Sequence, residues 1–201
     1  MSGKMSVMQR AAAAVVLSVA GMASAHAGLI ATYGDNPGED GNDCAGQFGK
    51  SFPKCVAPAA PNFGVPNDTP IIIKFDFEGE KVTKIEINSA LFPTIDGNEF
   101  GFDFGGDGNT GTGTWTYTQG AGDPDITAFV AKGGDFFNYF STMGDYSDVA
   151  YFTPTNPNNG KPFGLSHLSF YDTGVVPEPG SLALLGLGLL GLGASRRRSR
   201  D

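Results

Sequence analysis

The sequence predicts an all-β fold, an antiparallel and jelly-roll-like β-sandwich, set between two apolar terminal segments. Three observations predict it. Short stretches rich in Val, Ile, Thr and aromatic residues alternate apolar with polar positions, the period-two repeat of a half-buried strand. Turn residues (Gly, Pro, Asn, Asp) punctuate these stretches at spacings of about 8–12 residues, as in sandwiches. Between the two ends no stretch carries a helical period. At 201 residues the chain is long enough for one domain with appendages.

The chain opens with MSGKMSVMQRAAAAVVLSVAGMASAHA. Lys4 and Arg10 form a basic start, an apolar run follows from Ala11 to Ala20, and small residues sit at Ala23, Ala25 and Ala27. This is the layout of a signal peptide over 1–27, cut after Ala27 or, as the alternative, after Ala25. The apolar run falls short of the roughly 20 residues needed to span a bilayer core of about 30 Å. Export through the Sec translocon is therefore expected.

The body, 28–173, begins with GLIATY as a first strand. A long loop over 34–69 follows, holding both cysteines in DCAGQFGKSFPKC. In an exported chain this close pair reads as a Cys44–Cys55 disulfide, since the compartment is oxidising. Such a short loop is worth about 3 kcal/mol in the chain-entropy model, and it can staple the segment over the sheet. A metal site would need further ligands, and no His or second Cys pair lies nearby.

Next, PIIIKFDFEGEKVTKIEINS reads as a hairpin turning at Glu78-Gly79-Glu80. Alternation puts Ile71, Ile73, Phe75 and Phe77 on one face and Lys74 and Asp76 on the other. NEFGFDFGG groups Phe100, Phe102 and Phe104, and TGTWTYTQ groups Trp115 with Tyr117. DITAFVAK, FFNYFS, DVAYFT and GLSHLSFYD complete the strands. The sixteen phenylalanines read as core filling.

Little in the body points to catalysis. Its one histidine, His167, lies on the last strand, where alternation groups it with Leu165 and Ser169 and sets Ser166 on the opposite face. Ser166 and His167 therefore cannot pair as nucleophile and base, and a structural hydrogen bond is the expected role of the imidazole. Glu99 and Asp103 share a strand face and offer the alternative reading, a secreted polysaccharide hydrolase with a carboxylate acid–base pair. Asp96, Asn98, Asp103, Asp107 and Asn109 supply oxygen ligands on Gly-rich turns, which suits Ca²⁺. They lack EF-hand spacing, and Asp and Asn are ordinary turn residues, so plain turns are the simpler expectation. No cofactor is otherwise expected.

Charge narrows the partners. The whole chain carries a formal −8, but residues 28–195 hold seven lysines, no arginine and 20 acidic residues, near −13. Nucleic acid is excluded as a partner, because phosphate binding needs cationic side chains. An acidic surface of this kind suits an extracytoplasmic protein. Trp115 and Tyr117, if exposed, are the expected contacts to polysaccharide.

The final segment, 174–201, has three parts. Pro177-Glu178-Pro179 holds the backbone extended. An apolar helix is expected over 181–194, whose uncharged core LALLGLGLLGLGA is about 20 Å long, short for a bilayer but able to insert. Arg196, Arg197, Arg198 and Arg200 then stay cytoplasmic. This order resembles the PEP-CTERM sorting signal of Gram-negative bacteria. The resemblance implies recognition and cleavage of the tail by an exosortase, an inner-membrane-anchored precursor, and a destination at the cell surface or in the extracellular matrix, with its exopolysaccharide and biofilm. GTWTYT, FVAKGGDFFNYF and GLSHLSFY also resemble a pattern that recurs in the bodies of such proteins, which implies the β fold and no activity. The expectation is a non-enzymatic, structural or adhesive protein.

Overall fold

A computed structural model describes residues 27–34, 41–105 and 110–172. The predicted signal peptide up to His26, the sorting tail with its predicted apolar helix and arginine cluster, Asp107 and Asn109 lie outside the described residues. Among the described residues no helix is long and apolar enough to cross a membrane.

The fold is built from antiparallel strands, curled into a half-barrel with the layering of a sandwich. In chain order they are β1 (Gly28–Tyr33), β2 (Val56–Ala57), β3 (Thr69–Glu78), β4 (Lys81–Ile87) and β5 (Phe100–Phe104), then β6 (Thr112–Tyr117), β7 (Ala128–Gly133), β8 (Phe136–Ser141), β9 (Val149–Phe152) and β10 (Leu165–Tyr171). The large sheet runs β1-β8-β7-β10-β3-β2, with β4 also paired to β3; the small sheet runs β5-β6-β9. The β3–β4 hairpin closes at Gly79, whose φ of +60° lies in the left-handed region that glycine enters without strain.

Two cores result, one on each face of the large sheet. The first fills the space between the sheets with Phe75, Phe77, Trp115, Tyr117, Phe129 and Phe170. The second lies on the opposite face, where Ile71, Val130, Phe137, Tyr139 and Tyr171 meet Cys44, Phe48, Cys55 and Val65 from the loop before β3. The described part of the predicted long loop, from 41 onward, is thus a third layer. Covered on both sides, β7 is buried along its whole length, as expected of a strand with no solvated face.

Two bulges alter the expected faces. Tyr171 pairs with Ile71 while Phe170 pairs with Ile73, which leaves Ile72 as an extra residue in β3. One inserted residue reverses the alternation, so Ile73, Phe75 and Phe77 face the small sheet while Ile71 joins the second core. The predicted grouping of Ile71 with the other three is corrected by this bulge. A second shift lies at Ser166, because Leu165 pairs with Gly133 and His167 with Lys132. Leu165 accordingly packs between the sheets with Leu168 and Phe170, not with His167.

Candidate functional site

The third layer carries the most unusual chemistry of the described residues. Its segment crosses the outer face of the large sheet and is closed by the Cys44–Cys55 disulfide, with a Cα–Cα distance of 4.9 Å. Phe48 anchors it among the rings of Tyr33, Phe137, Tyr139 and Tyr171, with centroids 5.1–5.9 Å away. Close approach demands glycine at the entrance: a Cβ on Gly41 would sit 1.5 Å from the carbonyl oxygen of Asp135. Gly41 thereby lets Asn42 and Asp43 drop onto the sheet.

Asp43 is 2% exposed, beside the disulfide. Its Oδ1 lies 3.0 Å from His167 Nε2, and its Oδ2 accepts the Tyr171 hydroxyl proton at 3.0 Å. The Tyr171 oxygen also stands 3.5 Å from Cys44 Sγ and 3.3 Å from Cys55 Sγ. Carboxylate, imidazole, phenol and disulfide thus form one buried cluster that joins the third layer to β10, the strand between β7 and β3 in the large sheet.

Electrostatics follow from that geometry. Burial alone would raise the Asp43 pKa. The charge and hydrogen bond of His167, with a further contribution from the Cys44 backbone N–H, outweigh it and hold the carboxyl well below the usual carboxylate range. Tyr171 is pushed well above its ordinary value by burial and then by the adjacent Asp43 charge, so it stays a donor. A carboxyl with a depressed folded pKa stabilises fully above its ordinary pKa of about 3.9 and loses that contribution as pH falls below it. Denaturant titrations at about pH 7 and about pH 3 should therefore show a smaller acid loss in Asp43→Asn than in the parent. Equal losses in the two proteins would refute this assignment of the acid limb.

Around His167 the sheet face is polar. Lys132, His167, Asp76 and Lys84 are register partners across β7, β10, β3 and β4. In the neighbouring row Ser169 opposes Lys74, which opposes Glu86. Lys74 Nζ lies 2.7 Å from Asp76 and 3.7 Å from Glu86, and Lys84 lies 3.1 Å from Glu86. His167 Nδ1 is 4.0 Å from Asp76, so both ring nitrogens face carboxylates. This arrangement orients the imidazole as a structural link, as expected from the sequence. A cavity of about 290 Å³ opens where the third layer meets these rows.

The end of β10 leads to the second feature. Tyr171 is fully buried, and the Asp172 backbone N–H still donates to Pro70 at 3.2 Å. Three positions later a family signature begins. Residues 175–198 match the PEP-CTERM protein-sorting motif. No curated protein and no solved structure matches the chain. The PEP-CTERM motif holds Pro177, Glu178, Pro179 and Arg196, Arg197 and Arg198, while Arg200 falls just beyond it. It marks an exported protein processed by exosortase at the membrane.

Outside the PEP-CTERM segment, the remaining sequence expectations fare unevenly. Trp115 and Tyr117 are 0% and 5% exposed, packed between the sheets, and this corrects their expected role as surface contacts. Tyr117 is tied down further by donating to the Pro124 carbonyl at 2.8 Å. Their shared face is real, but it is the face turned inward. Asp96 accepts from the Asn98 backbone N–H at 2.9 Å, and Glu99 accepts from those of Asp96 and Gly97 at 3.2 and 2.8 Å. Both carboxylates thus serve their own turn, whereas Asp103 stands exposed on β5 opposite Thr114. Among the described residues no three His, Cys, Asp or Glu side chains gather as a metal site. Asp43 was missed by sequence reasoning. Its only local signal is its place beside a bridged cysteine, and its partner lies 124 positions away.

Proposed function

We propose that the chain is an exported surface or matrix protein whose body does structural or adhesive work against exopolysaccharide, without catalysis, after exosortase removes its tail. The observation that carries this reading is the PEP-CTERM motif, which begins three positions past Asp172, the anchored residue that follows β10. A folded sandwich closed right up to that point leaves only a short neck between body and processing signal. Two further features support a binding or structural role. The lone histidine of the body has both nitrogens turned to carboxylates, and Glu99 is engaged in its turn.

Processing can be tested by expressing the full chain in cells with and without an exosortase. With the enzyme, intact mass should show loss of the arginine-bearing tail and release from the membrane fraction. Without it, the tail should persist and the protein should stay with the membrane. An unshortened C-terminus in exosortase-containing cells would sink the reading.

A further inference from the structure

The cavity of about 290 Å³ beside the Asp43–His167 pair has walls from three elements. The bridged third layer supplies Asn42, Ser51 and Phe52; β3 and β4 supply Lys74 and Glu86; β10 supplies His167. Its volume lies just below the range of about 300 to 1,000 Å³ usual for ligand sites and leaves room for a single small polar ring.

The charges around it alternate and compensate. Lys74 lies between Asp76 and Glu86, Lys84 reaches Glu86, and His167 pairs with Asp43. Such a wall has no single sign with which to draw in a free ion. Phosphate or sulfate would meet Glu86 and Asp43, and a metal cation would meet Lys74 and His167. What the wall does offer is donors and acceptors side by side. An ammonium has three N–H donors and a carboxylate about four lone-pair sites, more than these ion pairs consume. The side chains of Lys74 and Glu86 are 17% and 28% exposed, sheltered yet reachable. A hydroxyl both donates and accepts, so neighbouring hydroxyls on one ring match neighbouring Lys and Glu groups, through charge-assisted bonds. Half-buried Phe52 adds an apolar surface at the same cavity.

The groups are also held in place beforehand. The β3–β4 ladder sets Lys74 directly opposite Glu86. On the other wall the Lys54 N–H bonds the Ser51 carbonyl at 2.9 Å, just ahead of the bridged Cys55. Preorganisation of this kind lowers the ordering cost of binding.

We propose that this cavity binds one neutral, hydroxyl-rich sugar unit of the exopolysaccharide, with Lys74 and Glu86 hydrogen-bonding adjacent hydroxyls and Phe52 packing on the apolar face of the ring. The assignment rests on the polysaccharide-facing function proposed above and gives that function a site. The probe is the set of neutral oligosaccharides released by mild hydrolysis from the matrix of the cells that export the protein. They are titrated into the purified full-length chain, with calorimetry for affinity and the His167 ring-proton signals for location. The expected result is binding that shifts the His167 signals and weakens about tenfold to a hundredfold in Glu86→Gln, the loss expected for a hydrogen bond to a charged group. Phe52→Ala should weaken it as well, and Met143→Ala, in a separate groove, should leave it unchanged. Because the His167 shift is read on the parent protein, the test survives a variant that folds poorly. Binding of undiminished affinity in Glu86→Gln and Phe52→Ala, with silent His167 signals, would overturn this site and leave the polysaccharide reading standing. Absence of any binding by the parent would overturn both.

Discussion

Asp43→Ala lowers the unfolding free energy by about 3 kcal/mol in equilibrium denaturation at neutral pH. Removing one partner of a buried charged pair costs about 3–5 kcal/mol, because the other partner stays buried and uncompensated. The lower end applies here, since the imidazole keeps a second carboxylate, Asp76, 4.0 Å from its Nδ1. The Tyr171 hydroxyl loses its carboxylate acceptor in the same stroke and keeps the weakly accepting disulfide sulfurs beside it. The loss also has a location. Asp43 and Cys44 are adjacent and buried, so amide exchange should quicken across the third layer and β10 before it does in β5 and β6. A loss under about 1 kcal/mol would show that the pair only balances its own desolvation.

A cycle of variants separates the pair from its surroundings. If the cost of Asp43→Ala comes from the orphaned imidazole, then Asp43→Leu combined with His167→Leu should be milder than Asp43→Ala alone, as when apolar residues replace buried ion pairs elsewhere. The two residues touch, so their effects should not add.

Much of the strand order was legible because turn chemistry and period-two patterning agree along the body. GLIATY and FFNYFS match β1 and β8 residue for residue, and the Gly79 hairpin falls where its sequence puts it. Faces were less legible than strands. Alternation says which residues share a face, but not whether that face meets solvent or another layer. For Trp115 and Tyr117 the covering layer is the large sheet, whose strands are far away in sequence. The bulge at Ile72 was invisible for a related reason. Where Ile71, Ile72 and Ile73 are all buried, an extra apolar residue disturbs no polar–apolar rhythm, and only the pairing register reveals it, as it does the shift at Ser166. The Asp43–His167 contact joins a loop near the start of the body to its last strand, and no local pattern encodes such a distance. The bridged cysteines were readable because their spacing and their compartment are both written in the chain.

Phe170→Ala should cost about 4 kcal/mol, within the range of about 3–5 kcal/mol measured when a fully buried phenylalanine is truncated. The ring is fully buried, and its centroid lies 4.7 Å from Phe100, 4.9 Å from Trp115, 6.0 Å from Phe75 and 6.1 Å from Phe129. Two of those neighbours belong to the small sheet and two to the large one, so the cavity opens at the contact that holds the layers together. Their strands are fixed by ladders on both sides of β10 and of β6, which limits how far the walls can close. Against total stabilities of about 5–15 kcal/mol, the variant should be near its unfolding threshold at physiological temperature. Thermal or urea unfolding followed by tryptophan emission reports on the event directly, since Trp115 is the chain's one tryptophan and packs on the deleted ring. A loss below about 2 kcal/mol would mean that the sheets collapse onto each other when the ring is gone. Phe170 is also among the last residues of the body to be made, five positions before the sorting motif. This contact between the two sheets therefore cannot form until almost the whole body has been made.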